Sequence, residues 1–137
     1  MMKKILVAVD GSGPSLHAAR TALELARGFG EVTLAHVVAP VFVPPEVPYG
    51  ISPWTEEAVR AGEKLLEDTA KELGSPGLKR VNLTGSPAEQ LADFASNEHF
   101  DLLVVGSKGR NAVSRVLIGS ITDRLVHISK IPVLVVR

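Results

Sequence analysis

The stretch that decides the fold class is Ile5-Leu-Val-Ala-Val-Asp-Gly-Ser-Gly-Pro14. Its first half is a continuous apolar run and its second half consists of turn residues, a pattern typical of a short strand buried on both faces of a sheet. Ser12 or Ser15 can cap a helix that begins here. Apolar residues then recur at helical spacing, at Leu16, Ala19, Leu23 and Ala26. The stretch therefore predicts a buried strand that turns directly into a helix.

The same alternation continues along the chain. Further strands are predicted at 32–38, 81–84, 102–105 and 133–136, with helical apolar faces between them at 58–73, 88–95 and 121–128. In the last helix, Ile121, Leu125 and Ile128 are expected to point inward. Strands and helices in strict alternation predict an α/β fold, an open five-stranded parallel sheet with helices on both faces.

The pattern also predicts the strand order. The segment 81–84 alternates strictly between apolar and polar residues, which places it at an edge of the sheet. The order 3-2-1-4-5 follows, within a single domain over residues 1–137. In this order strands 1 and 4 are neighbours whose crossovers leave on opposite sides, and open α/β sheets bind ligands between the carboxyl ends of such strands. Asp10 and Gly106 close these two strands, so we expect a ligand site there.

The last predicted strand, Val133–Val136, leaves an apolar backbone edge exposed, with little Lys or Pro to protect it. Pairing with the same strand of a second copy covers this edge, and two-fold contacts of that kind are the commonest dimer geometry. We therefore expect a homodimer through Val133–Val136.

Composition excludes several functions. Lys+Arg and Asp+Glu both number 15, and a zero net charge argues against non-specific nucleic-acid binding. With no cysteine there is no disulfide, thiolate metal site or Cys nucleophile. Apolar runs are too short for a membrane span or a signal peptide, which predicts a cytoplasmic protein. The four histidines lack metal-binding spacing, and none is placed to activate a serine.

The most informative segment for function runs from Gly106 to Ser120 with the spacing G-x2-G-x9-G-S. Glycines allow a ligand close to the backbone, and Gly119-Ser120 at a helix N-terminus offers N–H groups and a positive dipole end to phosphate. Residue types alone leave two interpretations equally open. Gly106 can simply end a strand, and Ser120 with Asp123 resembles a capping box. Neither a Walker A loop nor G-x-G-x-x-G occurs in the chain.

The whole chain resembles a universal stress protein of the single-domain kind. The resemblance rests on Lys4-Ile-Leu-Val-Ala-Val-Asp-Gly-Ser12, Leu34-Ala-His-Val-Val38, Gly85-Ser-Pro-Ala88, Asp101-Leu-Leu-Val-Val-Gly-Ser-Lys-Gly-Arg110, Leu117-Ile-Gly-Ser120 and Pro132-Val-Leu-Val-Val136. In this family the full G-x2-G-x9-G-[ST] pattern separates members that bind ATP from those that do not, and this sequence departs from it nowhere. The resemblance implies a Rossmann-like, adenine nucleotide alpha hydrolase-like fold and ATP binding, with Mg²⁺ on the phosphates.

The resemblance also implies roles for individual residues. Asp10 would hydrogen-bond the adenosine end of the nucleotide, Ala8 would line the pocket floor, and the backbone of Val37 would read the adenine edge. The remaining candidates belong to the phosphate loop: Gly106, Ser107 and Gly109 around ribose and phosphate, Gly119, Ser120 and Ile121 with backbone N–H groups on the phosphates, and Lys108 and Arg110 at variable positions.

Several alternatives remain open at this point. The expected role is a nucleotide-dependent sensor or signalling protein in stress or energy limitation. A dimeric interaction module without nucleotide is one alternative. An enzyme is another, through slow ATP hydrolysis or autophosphorylation, although no convincing general base is present and the S-G-G-x-D-S turn of ATP pyrophosphatases is missing. Tyr49 and Trp54 can lie over a bound adenine or pack on a neighbouring subunit.

Overall fold

The computed structural model describes residues 3–28, 30–40, 44–46, 55–108 and 119–137. Strands and helices alternate through these residues as the sequence predicts. The elements are β1 (Lys4–Ala8), α1 (Gly13–Leu25), β2 (Glu31–Val38), α2 (Glu56–Glu72), β3 (Lys79–Thr84), α3 (Pro87–Asn97), β4 (Leu102–Gly106), α4 (Ser120–Ile128) and β5 (Val133–Val136).

The strands form one parallel sheet in the order β3-β2-β1-β4-β5. This confirms the predicted order and places β3 at an edge. β1 lies at the centre, where Val7 pairs with Leu34 of β2 on one side and with Val104 of β4 on the other. Since all strands run the same way, all their carboxyl ends meet at one edge of the sheet.

Each face of the sheet carries its own apolar core. Ile5 and Val7 of β1 pack on the side covered by α1 and α2, together with Leu66 of α2. Leu6 packs on the side covered by α3 and α4, with Leu125 of α4. Full burial of an aliphatic side chain of this size contributes about 1.5–3 kcal/mol, so the central strand is fixed from both sides.

Local hydrogen bonds set where the helices begin. Ser12 is the N-cap of α1, and its Oγ accepts a hydrogen bond from the Ser15 N–H at 3.2 Å. Thr55 caps α2 in the same way, through the Ala58 N–H at 3.1 Å. A cap of this kind stabilises a helix by about 1 kcal/mol, and here it fixes the turn that joins β1 to α1.

The inward face of α4 differs from the expected one. Leu125 is fully buried, but the side chain of Ile121 is 45% exposed, so its predicted inward position was wrong. Thr122 is buried instead. Thr122 and Leu125 are three residues apart and share a helix face, and this face is the one that packs on the sheet.

No helix within the described residues is long and apolar enough to span a bilayer.

Candidate functional site

Three predicted residues lie in one row across the carboxyl edge of the sheet. Ala8 pairs with Ala35, so Asp10 and Val37, each two residues further on, are at the same level. Val7 pairs with Val104, so Ser107 lies at that level too. The register thus brings the ends of β2, β1 and β4 together. They meet at the topological switch point of the sheet, which is the usual ligand position in folds of this kind.

The turn from β1 to α1 holds Asp10 in a defined position. Its Oδ1 accepts a hydrogen bond from the Ser12 N–H at 2.9 Å, and its own N–H donates to Ser15 Oγ at 3.2 Å. Ser15 Oγ in turn donates to the Ser12 carbonyl at 3.0 Å. One carboxylate oxygen of Asp10 therefore takes part in the turn, which fixes the orientation of the carboxylate.

Ala8 and Val37 complete the adenosine side of the predicted site. Both side chains are half-buried and pack against the core on the α3 and α4 side of the sheet. Val37 is the second last residue of β2 and pairs with Leu83 of the edge strand. The two side chains thus lie on one side of the row.

The start of α4 is held directly on the end of β4. The Gly119 N–H donates to the Ser107 carbonyl at 2.7 Å, across a gap of twelve positions in the sequence. The Thr122 hydroxyl donates to the Gly106 carbonyl, also at 2.7 Å, and this bond is buried. These two bonds bring Ser107, Gly119, Ser120 and Ile121 to the same end of the sheet as Asp10.

The first turn of α4 has no side-chain cap. Gly119 is the N-cap residue, with φ −60° and ψ 151°, and it makes no side-chain hydrogen bond. Because Ser120 is the first helical residue and not the cap, Ser120 and Asp123 do not form the capping box that the sequence left open. The first N–H groups of any helix have no helical carbonyl to bind, and the helix dipole adds positive potential there. Such a terminus suits an anion.

Gly106 has a packing role of its own. A Cβ placed on it would lie 3.1 Å from the Pro14 carbonyl oxygen in the first turn of α1. That approach is tighter than most Cβ contacts, so a side chain here would require a small shift of the α1 backbone, and the structure supports the interpretation in which Gly106 ends a packed strand. Gly119 differs, because its φ of −60° is open to any residue.

Five predicted residues remain, and the structure describes one of them. Lys108 is half-buried at the edge of a described segment. Gly109, Arg110, Tyr49 and Trp54 lie outside the described residues. Among the residues that are described, no three His, Asp or Glu side chains are grouped so that they could hold a metal ion.

A groove of about 590 Å³ lies beside this row and not within it. It runs between α1 and α2, with Ser12 and Leu16 on one wall and Leu65 and Thr69 on the other. Of the described residues at the two ends of the Gly106–Ser120 segment, 106–108 and 119–120, none lines this groove, whereas Ser12 and Ser15 of the turn that holds Asp10 do.

Thr122 is not among the residues that the sequence predicts for the site, although it connects α4 to β4. Thr122 lies three residues before Leu125, a spacing that would place both on one face of the helix. Ile121 lies four residues before Leu125 and fits helical periodicity equally well. The polar partner that decides between them, the Gly106 carbonyl, is sixteen positions away.

The fold and this row of strand ends define a doubly wound α/β protein, a class whose members bind ligands at the carboxyl ends of neighbouring strands such as β1 and β4. The profile of the universal stress protein family matches residues 1–137, and the chain belongs to this family. A universal stress protein of Methanocaldococcus jannaschii is 31% identical over all of this chain and 83% of its own length.

Solved structures agree with this assignment. The universal stress protein UspA of Lactobacillus plantarum superposes with a TM-score of 0.84 at 25% identity, over 99% of this chain and 98% of its own. A universal stress protein in complex with cAMP has a TM-score of 0.63 at 26% identity, over 98% of this chain and 96% of its own.

Proposed function

We propose that this protein binds an adenine nucleotide, with ATP as the expected form, and serves as a nucleotide-dependent sensor or signalling protein in stress or energy limitation. The observation that carries the proposal is the hydrogen bond of 2.7 Å between the Gly119 N–H and the Ser107 carbonyl. Through it, the uncapped start of α4 lies at the same edge of the sheet as Asp10, which supports a site where helix N–H groups and a carboxylate act on one ligand.

The adenosine half of the nucleotide would lie along the row of strand ends. The backbone of Val37 offers hydrogen-bonding groups to the adenine edge, and Ala8 is small enough to leave space beside it. Asp10 would accept a hydrogen bond from the adenosine. Its Oδ1 already accepts from the Ser12 N–H at 2.9 Å, and this bond orients the carboxylate before any ligand arrives.

The phosphate half would lie at the first turn of α4. The N–H groups of Ser120 and Ile121 belong to the uncapped turn, and the Ser120 hydroxyl is one further donor. The ribose and phosphates would be lined by Gly106, Ser107 and Gly109. Positive charge would come from Lys108 and Arg110. The described residues offer no carboxylate cluster, so Mg²⁺ would be held mainly by the phosphates themselves.

The cAMP complex supports the adenosine part of the proposal, because cAMP shares its adenosine with ATP. The choice of ATP, the magnesium ion, the cytoplasmic location and the single domain over residues 1–137 remain predictions from the sequence. The homodimer through Val133–Val136 is likewise a prediction from the sequence.

Substitution of Gly119 by valine tests the placement of the phosphates. Gly119 has φ −60° and ψ 151°, which valine can adopt, so the fold should survive while the added side chain obstructs the ligand. We expect Gly119→Val to weaken ATP binding, measured by calorimetry, by at least ~100-fold, or about 2.7 kcal/mol.

Gly77→Val is the matched control. Gly77 is exposed in the turn before β3, and a Cβ there meets nothing within 4 Å. This variant should bind ATP like the wild type. Unchanged affinity in Gly119→Val would show that the phosphates lie elsewhere. A wild-type protein that releases no nucleotide on heating and gives no heat with ATP, ADP or AMP would overturn the proposed function itself.

A further inference from the structure

Thr122 is one of four polar residues buried among those the structure describes, with 6% of its surface exposed. Its hydroxyl donates to the Gly106 carbonyl at 2.7 Å. Threonines elsewhere in the helices use their hydroxyls locally. Thr69 donates to the Leu65 carbonyl and Thr21 to the His17 carbonyl, each four residues back in its own helix. Thr122 instead joins its helix to a strand.

The hydrogen bond of Thr122 acts together with a second hydrogen bond, which is accepted by the next residue at the same strand end. The Ser107 carbonyl accepts from the Gly119 N–H at 2.7 Å, so successive carbonyls at the end of β4 bind the start of α4. Ser107 is itself held on the other side, because its N–H donates to the Val136 carbonyl at 2.8 Å. The first turn of α4 thus has two fixed points, one from the backbone and one from the Thr122 side chain.

The strand end that receives these bonds packs closely on α1. A Cβ on Gly106 would lie 3.1 Å from the Pro14 carbonyl oxygen, which shows how closely this peptide packs on α1. Pro14 belongs to the same turn that orients Asp10 through Ser12 and Ser15. The position of the α4 N–H groups relative to Asp10 therefore depends on the hydroxyl of Thr122.

We propose that Thr122 is a positioning residue for the nucleotide site, whose hydroxyl holds the N–H groups of Ser120 and Ile121 where they meet the phosphates. The inference rests on the proposed function and specifies which part of the ligand depends on this residue. Without the hydroxyl, the first turn of α4 keeps only the backbone bond from Gly119 to Ser107, so part of its ordering has to occur when the ligand binds, and that ordering reduces affinity. Adenosine has no phosphate, so its binding should not depend on Thr122.

The test compares ATP and adenosine in two variants by calorimetry. Thr122→Val keeps the shape and removes the hydroxyl, and we expect its ATP affinity to fall ~10-fold, or about 1.4 kcal/mol, while adenosine affinity stays within ~2-fold. Thr122→Ser keeps the hydroxyl and should bind both ligands like the wild type. If the valine variant does not fold, Thr122→Ala replaces it in the same comparison.

Thr69→Val is the matched control, because it removes another buried threonine hydroxyl, from α2 and outside the row of strand ends. It should lower stability without changing ATP affinity. The proposal is overturned if Thr122→Val binds ATP like the wild type, if it loses ATP and adenosine affinity equally, or if Thr122→Ser loses as much as the valine variant. A wild-type protein that binds neither ligand would instead overturn the proposed function.

Discussion

Gly62 shows how much a single position can be constrained by a neighbour on another element. It lies inside α2, where glycine is normally unfavourable. A Cβ on Gly62 would lie 2.5 Å from Asn82 Oδ1 and 2.8 Å from His36 Nδ1. His36 and Asn82 are hydrogen-bonded to each other at 2.9 Å, and Asn82 Nδ2 donates to the Val59 carbonyl. This polar pair between the strands and α2 leaves space only for glycine.

We therefore expect Gly62→Ala to destabilise the protein by about 1–3 kcal/mol, the usual cost of overpacking, although alanine is the better helix former by about 1 kcal/mol. Urea denaturation measures the change. In an Asn82→Ala background the same substitution should cost less, because one of the two contacts is gone. A stabilised Gly62→Ala variant would contradict the packing described here.

Two glycines of one motif can be required for different physical reasons, and the sequence alone does not show which reason applies to which glycine. The glycines at 106 and 119 form one pattern in the sequence. In the structure, a side chain at Gly106 would press on the Pro14 carbonyl at 3.1 Å, whereas the φ and ψ of Gly119 are open to any residue. The Gly119 N–H donates to the carbonyl of Ser107, next to Gly106, so the two ends of the motif lie together. The motif could not show which glycine is needed for packing, because that depends on a contact with α1.

At the scale of elements, α3 and α4 lie side by side on one face of the sheet and are joined by an ion pair. Arg124 Nε of α4 donates to Glu89 Oε1 of α3 at 2.9 Å. This hydrogen bond lowers the pKa of Glu89 below its ordinary value, with smaller contributions from the backbone of Glu89 and from the charge of Arg124. The pair stabilises the folded state while Glu89 is ionised, and that contribution is lost as pH falls through the lowered pKa.

An NMR titration of the Glu89 side chain should show a midpoint below the ordinary value, and Arg124→Gln should raise it. Arg124→Lys keeps the charge but changes the donor geometry and should give an intermediate midpoint. Both side chains are well exposed, so we expect only a small change in overall stability. Equal midpoints in the wild type and Arg124→Gln would show that the pair does not persist in solution.

The elements themselves were predictable because their signals are local. Buried strands appear as apolar runs and helices as spaced apolar residues, and the alternation of 81–84 correctly placed β3 at an edge. The orientation of α4 was not predictable from spacing, since Ile121 and Thr122 both fit a helix face that includes Leu125. The choice between them depends on the bond from Thr122 to Gly106, a contact between distant parts of the chain.

The edge strand β5 is the part of the molecule where the predicted homodimer would form. Among the described strands β5 pairs with β4 alone, and all four of its side chains are half-buried. An apolar strand at an edge is a ready template for another strand, and a second copy of β5 can supply it with two-fold symmetry. This geometry supports the predicted homodimer through Val133–Val136.

We expect Val135→Glu to weaken the dimer at least ~10-fold, because burying a charge in an apolar interface is costly. Val81→Glu, at the opposite edge of the sheet, is the matched control. Val81 packs half-buried against the same core as Val135, so the two variants should lose similar stability. Sedimentation velocity reads out the assembly state. An equal effect of both substitutions, or none, would exclude this edge as the interface.

The strand order also has a consequence for how the chain folds. β1 obtains its first neighbour early, because β2 follows within the first 38 residues, but its second neighbour is β4, with Ile5 opposite Leu102. Closing such a long loop costs entropy before any contact repays it, and pairing between distant strands is slow. We therefore expect the central strand to stay half-paired during synthesis until β4 has emerged, with its apolar edge open to aggregation in that interval.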